Sequence, residues 1–367
     1  MHIRWLLLRL RNAIILKKPC DALRHKKPVL ISIIIFLCLL LHIVVKTPVE
    51  PRSDHREDYI NLICSSDRFN LKQAAVQDLK TQNDNSATQQ LLSVASKISL
   101  RKNRMVLFTV INEAYLPFAY SWLCNTKTMN IHDSVLFVTT DSQSKKKLQK
   151  DWPEVNVISM NMDDLRGNQS YSRVGYIKIT VKRTEMIQTL LMANIDVFVF
   201  EVDCVWLGNP VTAISFEERH DIIVNPVYGT KDLFASGFIL LRKTCRSKIV
   251  WQKVTDMMNE LGKRIADLHE DDVLENYGSE NEQKYLADLI LDGYGNVTLK
   301  MLPLELYADG QWYNLNDEER AKIRPIIINN NWIIGNQAKI ERAKQWNHWF
   351  LRGDHTCDMD LVKKIIY

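Results

Sequence analysis

Four apolar segments rich in β-branched residues alternate with stretches of helical period, and this alternation constrains the fold more than any other feature of the chain. Near-continuous apolar strands separated by helices are typical of a parallel sheet buried on both faces. The composition, 46% hydrophobic and 25% charged, excludes a disordered chain. The strand-like segments cover residues 105–111, 134–140, 155–160 and 195–200, and the helical period is carried by Ile177, Val181, Thr184, Ile187 and Leu191.

The second half of the chain is less regular but contains no internal linker or repeat. We therefore predict one α/β domain over residues 104–367, of Rossmann type, with a mixed, mostly parallel central sheet. Its further strands are predicted near 221–225, 234–241, 297–302 and 325–329, and its helices near 245–261, 282–292 and 337–350.

Residues 29–45 form an uninterrupted apolar segment, at the short end of the length that crosses a bilayer. Eight basic residues precede it, so the positive-inside rule predicts a cytosolic basic tail over residues 1–28. A cleaved signal peptide is disfavoured because the basic region is long and no small-x-small cleavage site follows. We expect a single-pass type II membrane protein with a luminal body.

Residues 46–103 are mostly polar and are predicted to form a luminal stem. The formal net charge of +5 comes from the start of the chain, because residues 1–46 hold nine Lys and Arg against one Asp. The rest of the chain carries 39 basic and 42 acidic residues. The charge therefore gives no indication of a nucleic-acid partner.

Five of the seven cysteines lie beyond the apolar segment. In an oxidising lumen they allow at most two internal disulfides and leave one thiol over. Cys204, in an apolar run, is predicted to be a buried free thiol. Cys64, outside the predicted domain, is available to pair between the chains of a homodimer. The sequence leaves the pairing of the others open.

An acid pair follows the fourth apolar segment directly. Strand side chains alternate, so Glu201 and Asp203, two residues apart, are predicted to share a face at the carboxyl end of a central strand. Ligands of open α/β sheets bind at that edge. Two carboxylates there suit Mg²⁺ or Mn²⁺ holding a diphosphate, although two solvated acids at the end of a strand give the same pattern.

The acid pair belongs to a longer pattern, L-x-x-G-x-D-V-x-x-x-D-x-D-x-x-W-x-x-x-P, which runs here from Leu191 to Pro210. With the pieces that follow it, the pattern resembles the nucleotide-diphospho-sugar transferase family, retaining glycosyltransferases that include plant xylosyl- and arabinosyltransferases. The resemblance covers about residues 104–352. The further pieces are the strand 106–112, Gly237-Phe238 with Arg242 and Thr244, Glu282-Gln283, Gly310 before Trp312-Tyr313, and Asn331-Trp332 with Gly335 and Lys339.

The resemblance implies a GT-A-like fold and a glycosyltransferase of the Golgi membrane. The partners it implies are a nucleotide-diphospho-sugar donor and a glycan or glycoprotein acceptor, and its cofactor is a divalent metal, Mn²⁺ or Mg²⁺.

The resemblance also assigns roles to individual residues. Asp203 would bind the metal, with Glu201 reaching the metal or the ribose. Lys182 and Lys339 would neutralise the departing diphosphate. Thr109, Ile111 and Asn112 would lie beside the nucleotide base. Ser236 and Gly237 would allow the close approach of a sugar, and Glu282 or Gln283 would face the anomeric carbon.

Several of these residues have structural alternatives. Lys182 could pair with Glu185 on its own helix, Gly237 could be a packing glycine, and Asn112 could form a turn.

Three departures from the family pattern bear on the site. Glu201 and Glu282 each stand where the family has Asp, one methylene shorter. Asn329 stands where the family commonly has His, and it is predicted to be the third metal ligand. Because an amide is a weaker ligand than an imidazole, Asn329 motivates a competing hypothesis, a membrane-tethered binding protein of the same fold without catalysis.

Overall fold

The computed structural model describes residues 64, 86–101, 105–214, 219–230 and 234–366. The predicted cytosolic tail, 1–28, and the predicted membrane segment, 29–45, lie outside the described residues. Within the ranges just given, no helix is both long enough and apolar enough to cross a membrane.

In the part of the chain that the structure describes, ten strands form two sheets. The strands are β1 (Val106–Ile111), β2 (Val135–Thr139), β3 (Asn156–Ser159), β4 (Val197–Phe200), β5 (Val205–Trp206), β6 (Ile222–Pro226), β7 (Phe234–Leu241), β8 (Leu299–Met301), β9 (Tyr307–Ala308) and β10 (Ile327–Ile328).

The larger sheet has seven strands in the order β3-β2-β1-β4-β7-β6-β8. Its neighbouring strands are parallel except where β7 pairs with β4 and β6. The prediction of a mixed, mostly parallel sheet is therefore confirmed. A small second sheet has the strand order β5-β10-β9 and was not predicted. Each of its strands is only two residues long, and β5 and β9 lie outside every predicted strand.

The helices are α1 (Ser86–Leu100), α2 (Leu116–Asn125), α3 (Ser142–Asp151), α4 (Val174–Met192), α5 (Pro210–Ala213), α6 (Cys245–Arg264), α7 (Glu282–Leu291), α8 (Asp317–Ala321), α9 (Asn336–Gln345) and α10 (Met359–Ile365). The predicted helix 337–350 ends early, at Gln345, and residues 346–350 are not helical.

The alternation of side chains along each strand gives the larger sheet two apolar faces. Leu107 and Phe137 pack with the residues of α2 on one face. Phe108 and Leu136 pack with α4 and α6 on the other. Burial on both faces explains why these strands are almost entirely apolar.

Helix α1 lies within the range predicted to be a stem. Its Leu91, Ala95 and Ile98 are almost completely buried and belong to the core on the α4 side of the sheet. This apolar face, spaced at four and three residues, needs the sheet for its burial. Helix α1 therefore packs against the domain that the sequence predicts from residue 104.

Two disulfides join distant parts of the chain. Cys64 is bonded to Cys245 at the start of α6, and Cys124 of α2 is bonded to Cys357. The pairing of Cys64 between chains was therefore a wrong prediction, and the homodimer loses the observation on which it rested. Among the described residues Cys204 is the free cysteine and is buried, as predicted.

Candidate active site

The acid pair sits in a turn rather than on an extended strand. After β4 ends at Phe200, the backbone N–H of Glu201 donates to the carbonyl oxygen of Gly237 at 3.0 Å, and the backbone N–H of Cys204 donates to the backbone carbonyl oxygen of Glu201 at 3.2 Å. The strand alternation that predicted a shared face therefore does not extend to these residues. Their predicted location, the carboxyl end of a central strand, is correct.

Asp203 is held by Lys339 of α9. The Lys339 Nζ atom donates to Oδ2 of Asp203 at 2.5 Å. The Asp203 side chain is buried, with 1% of its surface exposed, and that of Lys339 is largely covered, with 14% exposed. Burial alone would lower the pKa of Lys339, but the negative charge of Asp203, with Tyr115 and Glu201 nearby, raises it above its ordinary value. Lys339 is therefore a permanent cation at this site.

Two oxygen atoms of the site have no partner among the described residues. They are Oδ1 of Asp203 and Oδ1 of Asn329, and both are buried. A buried acceptor without a hydrogen bond is costly unless something else satisfies it. Both oxygens are available to a ligand.

A buried guanidinium joins Glu201 to a second acid. Arg183 of α4 pairs with Oε1 of Glu201 at 3.6 Å and more closely with Glu282, the first residue of α7. Burial and the charge of Asp203 raise the pKa of Glu201, whereas Arg183 opposes the rise. Glu282 therefore reaches the acid pair through Arg183, which the sequence prediction did not include.

Lys182, the predicted cation of this helix, points elsewhere. It is half exposed and pairs with Glu185 at 2.8 Å, as its structural alternative proposed. With about 100° per residue, Lys182 lies roughly 160° from the centre of the buried face formed by Ile177, Thr184 and Leu191. Arg183 lies only about 100° from that centre, at the side of the buried face. Helical periodicity could therefore have directed attention to the neighbouring Arg183.

Gly237 is a point of close approach within the protein itself. A Cβ atom at this position would lie 2.3 Å from Nδ2 of Asn329 and 3.4 Å from Oε2 of Glu201. The absence of a side chain lets Asn329 pack next to Glu201. The sequence predicts that a sugar comes close to Gly237, and the structure places the side chains of Asn329 and Glu201 next to it. The side chain of Ser236 lies outside the described part of the chain.

The residues predicted beside the base have mainly structural contacts. Thr109 is buried within β1. Asn112 donates to the carbonyl oxygens of Leu165 and Gly167, at 3.3 and 2.6 Å, and its Oδ1 accepts from Tyr115 N–H. These bonds make Asn112 the turn former that the alternative interpretation described. Gln283 follows Glu282 on α7 and is half buried.

The donor set fits a hard divalent cation. Across the described residues there is no group of three His, Cys, Asp or Glu arranged to hold a metal. With Asn329 as the third ligand, however, the site offers the carboxylates of Asp203 and Glu201 and one amide oxygen. The Oδ1 atoms of Asp203 and Asn329 lack a hydrogen-bond partner among the described residues. Oxygen ligands of this kind suit Mg²⁺ and Mn²⁺.

Residues 130–343, more than half of the chain, match the model of the nucleotide-diphospho-sugar transferase family. The chain belongs to this family.

Similar proteins include the UDP-D-xylose:L-fucose alpha-1,3-D-xylosyltransferase MGP4 of Arabidopsis thaliana. It is 24% identical over 282 residues, which cover 71% of this chain and 74% of that protein. The UDP-galactose:fucoside alpha-3-galactosyltransferase of Dictyostelium discoideum is 24% identical over 288 residues, which cover 73% of this chain and 41% of that protein.

Among solved structures, the glycosyltransferase GlyE of Streptococcus pneumoniae aligns with a TM-score of 0.41 and 14% identity, over 71% of this chain and 62% of that one.

Proposed function

We propose that this protein transfers a sugar from a nucleotide-diphospho-sugar to a glycan or glycoprotein acceptor, with a divalent cation, Mn²⁺ or Mg²⁺, at the acid pair. The observation that carries the proposal is the buried pair of Asp203 and Lys339 at the end of β4, in a member of this family. A carboxylate with one partnered and one free oxygen, next to a fixed cation, suits a bound diphosphate.

In the transfer, the bond between the anomeric carbon and the diphosphate oxygen breaks, and a bond from that carbon to an acceptor hydroxyl oxygen forms. The diphosphate leaves with the electron pair, and the hydroxyl proton passes to it or to solvent. Asp203, Glu201 and Asn329 would hold the cation, which when bound supplies Lewis-acid stabilisation of the leaving group. Lys339 adds a positive charge that needs no reorganisation as the diphosphate departs.

The relatives support a narrower choice of substrates. Both named relatives take a UDP-sugar and act on fucose or a fucoside. We propose a UDP-sugar donor and a fucose-containing acceptor for this chain.

Two observations support a Golgi location for a type II protein with a luminal domain. The apolar segment 29–45 follows a basic tail. The disulfides Cys64–Cys245 and Cys124–Cys357 belong to an oxidising compartment.

The test uses the full chain in detergent with UDP-xylose or UDP-galactose, either cation, and methyl α-L-fucoside. We expect release of UDP and formation of a disaccharide. Asp203→Asn should abolish both, whereas Lys182→Ala, on the exposed face of α4, should retain them. A wild-type protein that neither binds nor hydrolyses any nucleotide-sugar would contradict the proposal.

Asn329 favours a second candidate function, binding of a sugar nucleotide or glycan without transfer. An amide in place of an imidazole weakens the attachment of the metal. Binding of UDP by wild-type protein that forms no product with any acceptor would support this alternative. Turnover that disappears in Asp203→Asn, with folding unchanged, would eliminate it.

A further inference from the structure

A buried carboxylate fixes two exposed aromatic residues beside the acid pair. Asp309 follows β9 and is only 1% exposed. Its Oδ2 atom accepts from the indole Nε1 of Trp332 at 2.7 Å and from the backbone N–H of Tyr228 at 3.1 Å. Trp332 and Tyr228 nevertheless expose 57% and 51% of their surface. We call Trp332 and Tyr228 the aromatic platform.

Trp332 is held in a backbone conformation that bulky residues rarely adopt. Its φ angle is +60°, in the left-handed region. Such conformations persist where the surrounding structure imposes them, and they are concentrated at functional sites. The hydrogen bond to Asp309 and this backbone conformation position an indole that the protein core does not use.

The platform adjoins the acid pair through the small sheet. Strands β9 and β10 are parallel, with Ala308 opposite Ile328, so Asp309 and Asn329 leave neighbouring strands at the same edge. Neighbouring strands lie about 4.8 Å apart. Asn329 packs in turn against Gly237, next to Glu201. The residues that carry the platform are therefore one strand away from the acid pair.

The exposed area indicates the size of the ligand. Two aromatic side chains, each of about 150–250 Å² and half exposed, offer roughly 200 Å². A stable protein interface buries about 800 Å² on each partner, so the platform alone is too small for a protein. It has the dimensions of a sugar ring, whose C–H face is apolar and whose edge carries hydroxyl groups.

We propose that the aromatic platform binds the acceptor saccharide, with one pyranose ring stacked on Trp332 and Tyr228 beside it. The proposal deepens the proposed function and rests on it for the identity of the bound sugar as acceptor. A ring placed there has its hydroxyl edge toward Asn329 and the acid pair. Pre-positioning of the indole by Asp309 lowers the entropy cost of binding.

The test measures acceptor and donor separately on the full chain in detergent. Saturation-transfer NMR with a panel of methyl pyranosides, methyl α-L-fucoside included, reports the acceptor, and calorimetry with UDP and Mn²⁺ reports the donor. Trp332→Ala and Tyr228→Ala should each weaken pyranoside binding about tenfold or more and leave the Kd for UDP unchanged. Trp332→Phe, which keeps a ring, should lose less than Trp332→Ala. The control is Leu291→Ala, a residue of similar exposure (59%) at the far end of α7, and it should change neither.

The outcomes distinguish the two proposals. If wild-type protein binds UDP but shows saturation transfer to no pyranoside, the platform proposal is overturned and the proposed function is not. The same holds if both alanine variants bind the pyranoside as tightly as wild type. Pyranoside binding that depends on Trp332, in a protein that never binds a nucleotide, supports the platform and overturns the proposed function.

Discussion

Lys339 and Asp203 are 136 residues apart in sequence, and their side chains form a 2.5 Å hydrogen bond inside the protein. The bond connects α9 to the turn after β4. It also gives one oxygen of Asp203 a partner and leaves the other free.

Replacement of Lys339 by Met should destabilise the protein strongly, because it leaves the Asp203 carboxylate buried without its partner. Breaking a buried ion pair in this way costs about 3–5 kcal/mol. The free energy of unfolding in urea measures the effect, and Lys182→Met on the exposed face of α4 is the matched control. Lys339→Met combined with Asp203→Asn should recover much of the loss. If the single variant were as stable as wild type, Lys339 would not be the partner of a charged Asp203.

Gly237→Ala should destabilise the domain by about 1–3 kcal/mol, the usual effect of overpacking. The added methyl group would come within 2.3 Å of Nδ2 of Asn329. Thermal unfolding measures this change, and Gly278→Ala, where an added Cβ meets nothing within 4 Å, should be close to wild type. The double variant Gly237→Ala with Asn329→Ala lacks the amide group and should therefore relieve the crowding. A double variant no more stable than Gly237→Ala would locate the strain elsewhere.

Stability should fall between pH 7 and pH 5 through His348. Burial lowers the pKa of His348 to about 4, and its Nδ1 lies 3.0 Å from the Tyr313 hydroxyl oxygen. In the unfolded chain the imidazole of His348 has a pKa of about 6.5, so it is protonated at a higher pH than in the folded protein. The free energy of unfolding therefore declines as the pH falls from 6.5 toward 4. The loss at pH 5 is on the order of 2 kcal/mol.

Urea unfolding of wild type and His348→Gln at both pH values gives the measurement. The variant should lose less stability than wild type over this range. His355→Gln, at an exposed position, should keep the full dependence. Equal pH dependence in all three proteins would exclude His348 as the cause.

Asn329→His should change the preference for the metal. An imidazole binds Mn²⁺ better relative to Mg²⁺ than an amide oxygen does, since nitrogen ligands favour transition metals. We expect the ratio of the Mn²⁺ and Mg²⁺ affinities to rise several-fold, measured by the electron paramagnetic resonance of free Mn²⁺ in competition with Mg²⁺. Asn331→His, two residues further on, is the control. An unchanged ratio would remove Asn329 from the proposed ligand set.

The larger sheet was predictable because its strands carry their own signal. Segments 105–111 and 195–200 are apolar except for Thr109 and Asp196, and each became a strand within a residue or two at either end. The two-residue strands β5 and β9 carry no such signal, so the second sheet was missed as a unit. Helix α1 was assigned to a stem because residues 46–103 are mostly polar, and the burial of Leu91, Ala95 and Ile98 depends on contacts with the distant sheet.

The site was predictable where a residue adjoins a strand and less so where it depends on contacts across the chain. Asp203 and Lys339 lie together, but no local sequence pattern predicts that their two segments, far apart in the chain, come into direct contact. Whether Lys182 or Arg183 faces the acid pair depends on the rotational position of each residue around α4. The spacing of the family motif does not specify that position. The hydrogen bonds of Asn112 end on a loop more than 50 residues away, and this use of its amide left no trace in the sequence.

The bond between Cys124 and Cys357 has a practical consequence for recombinant production. It closes a loop with a sequence separation of 233 residues that includes Glu201, Asp203 and Lys339. Without it, the unfolded chain gains conformational freedom equivalent to about 5 kcal/mol in the chain-entropy model. Expression in a reducing bacterial cytosol should therefore yield aggregated material, and a secretory host should yield soluble protein.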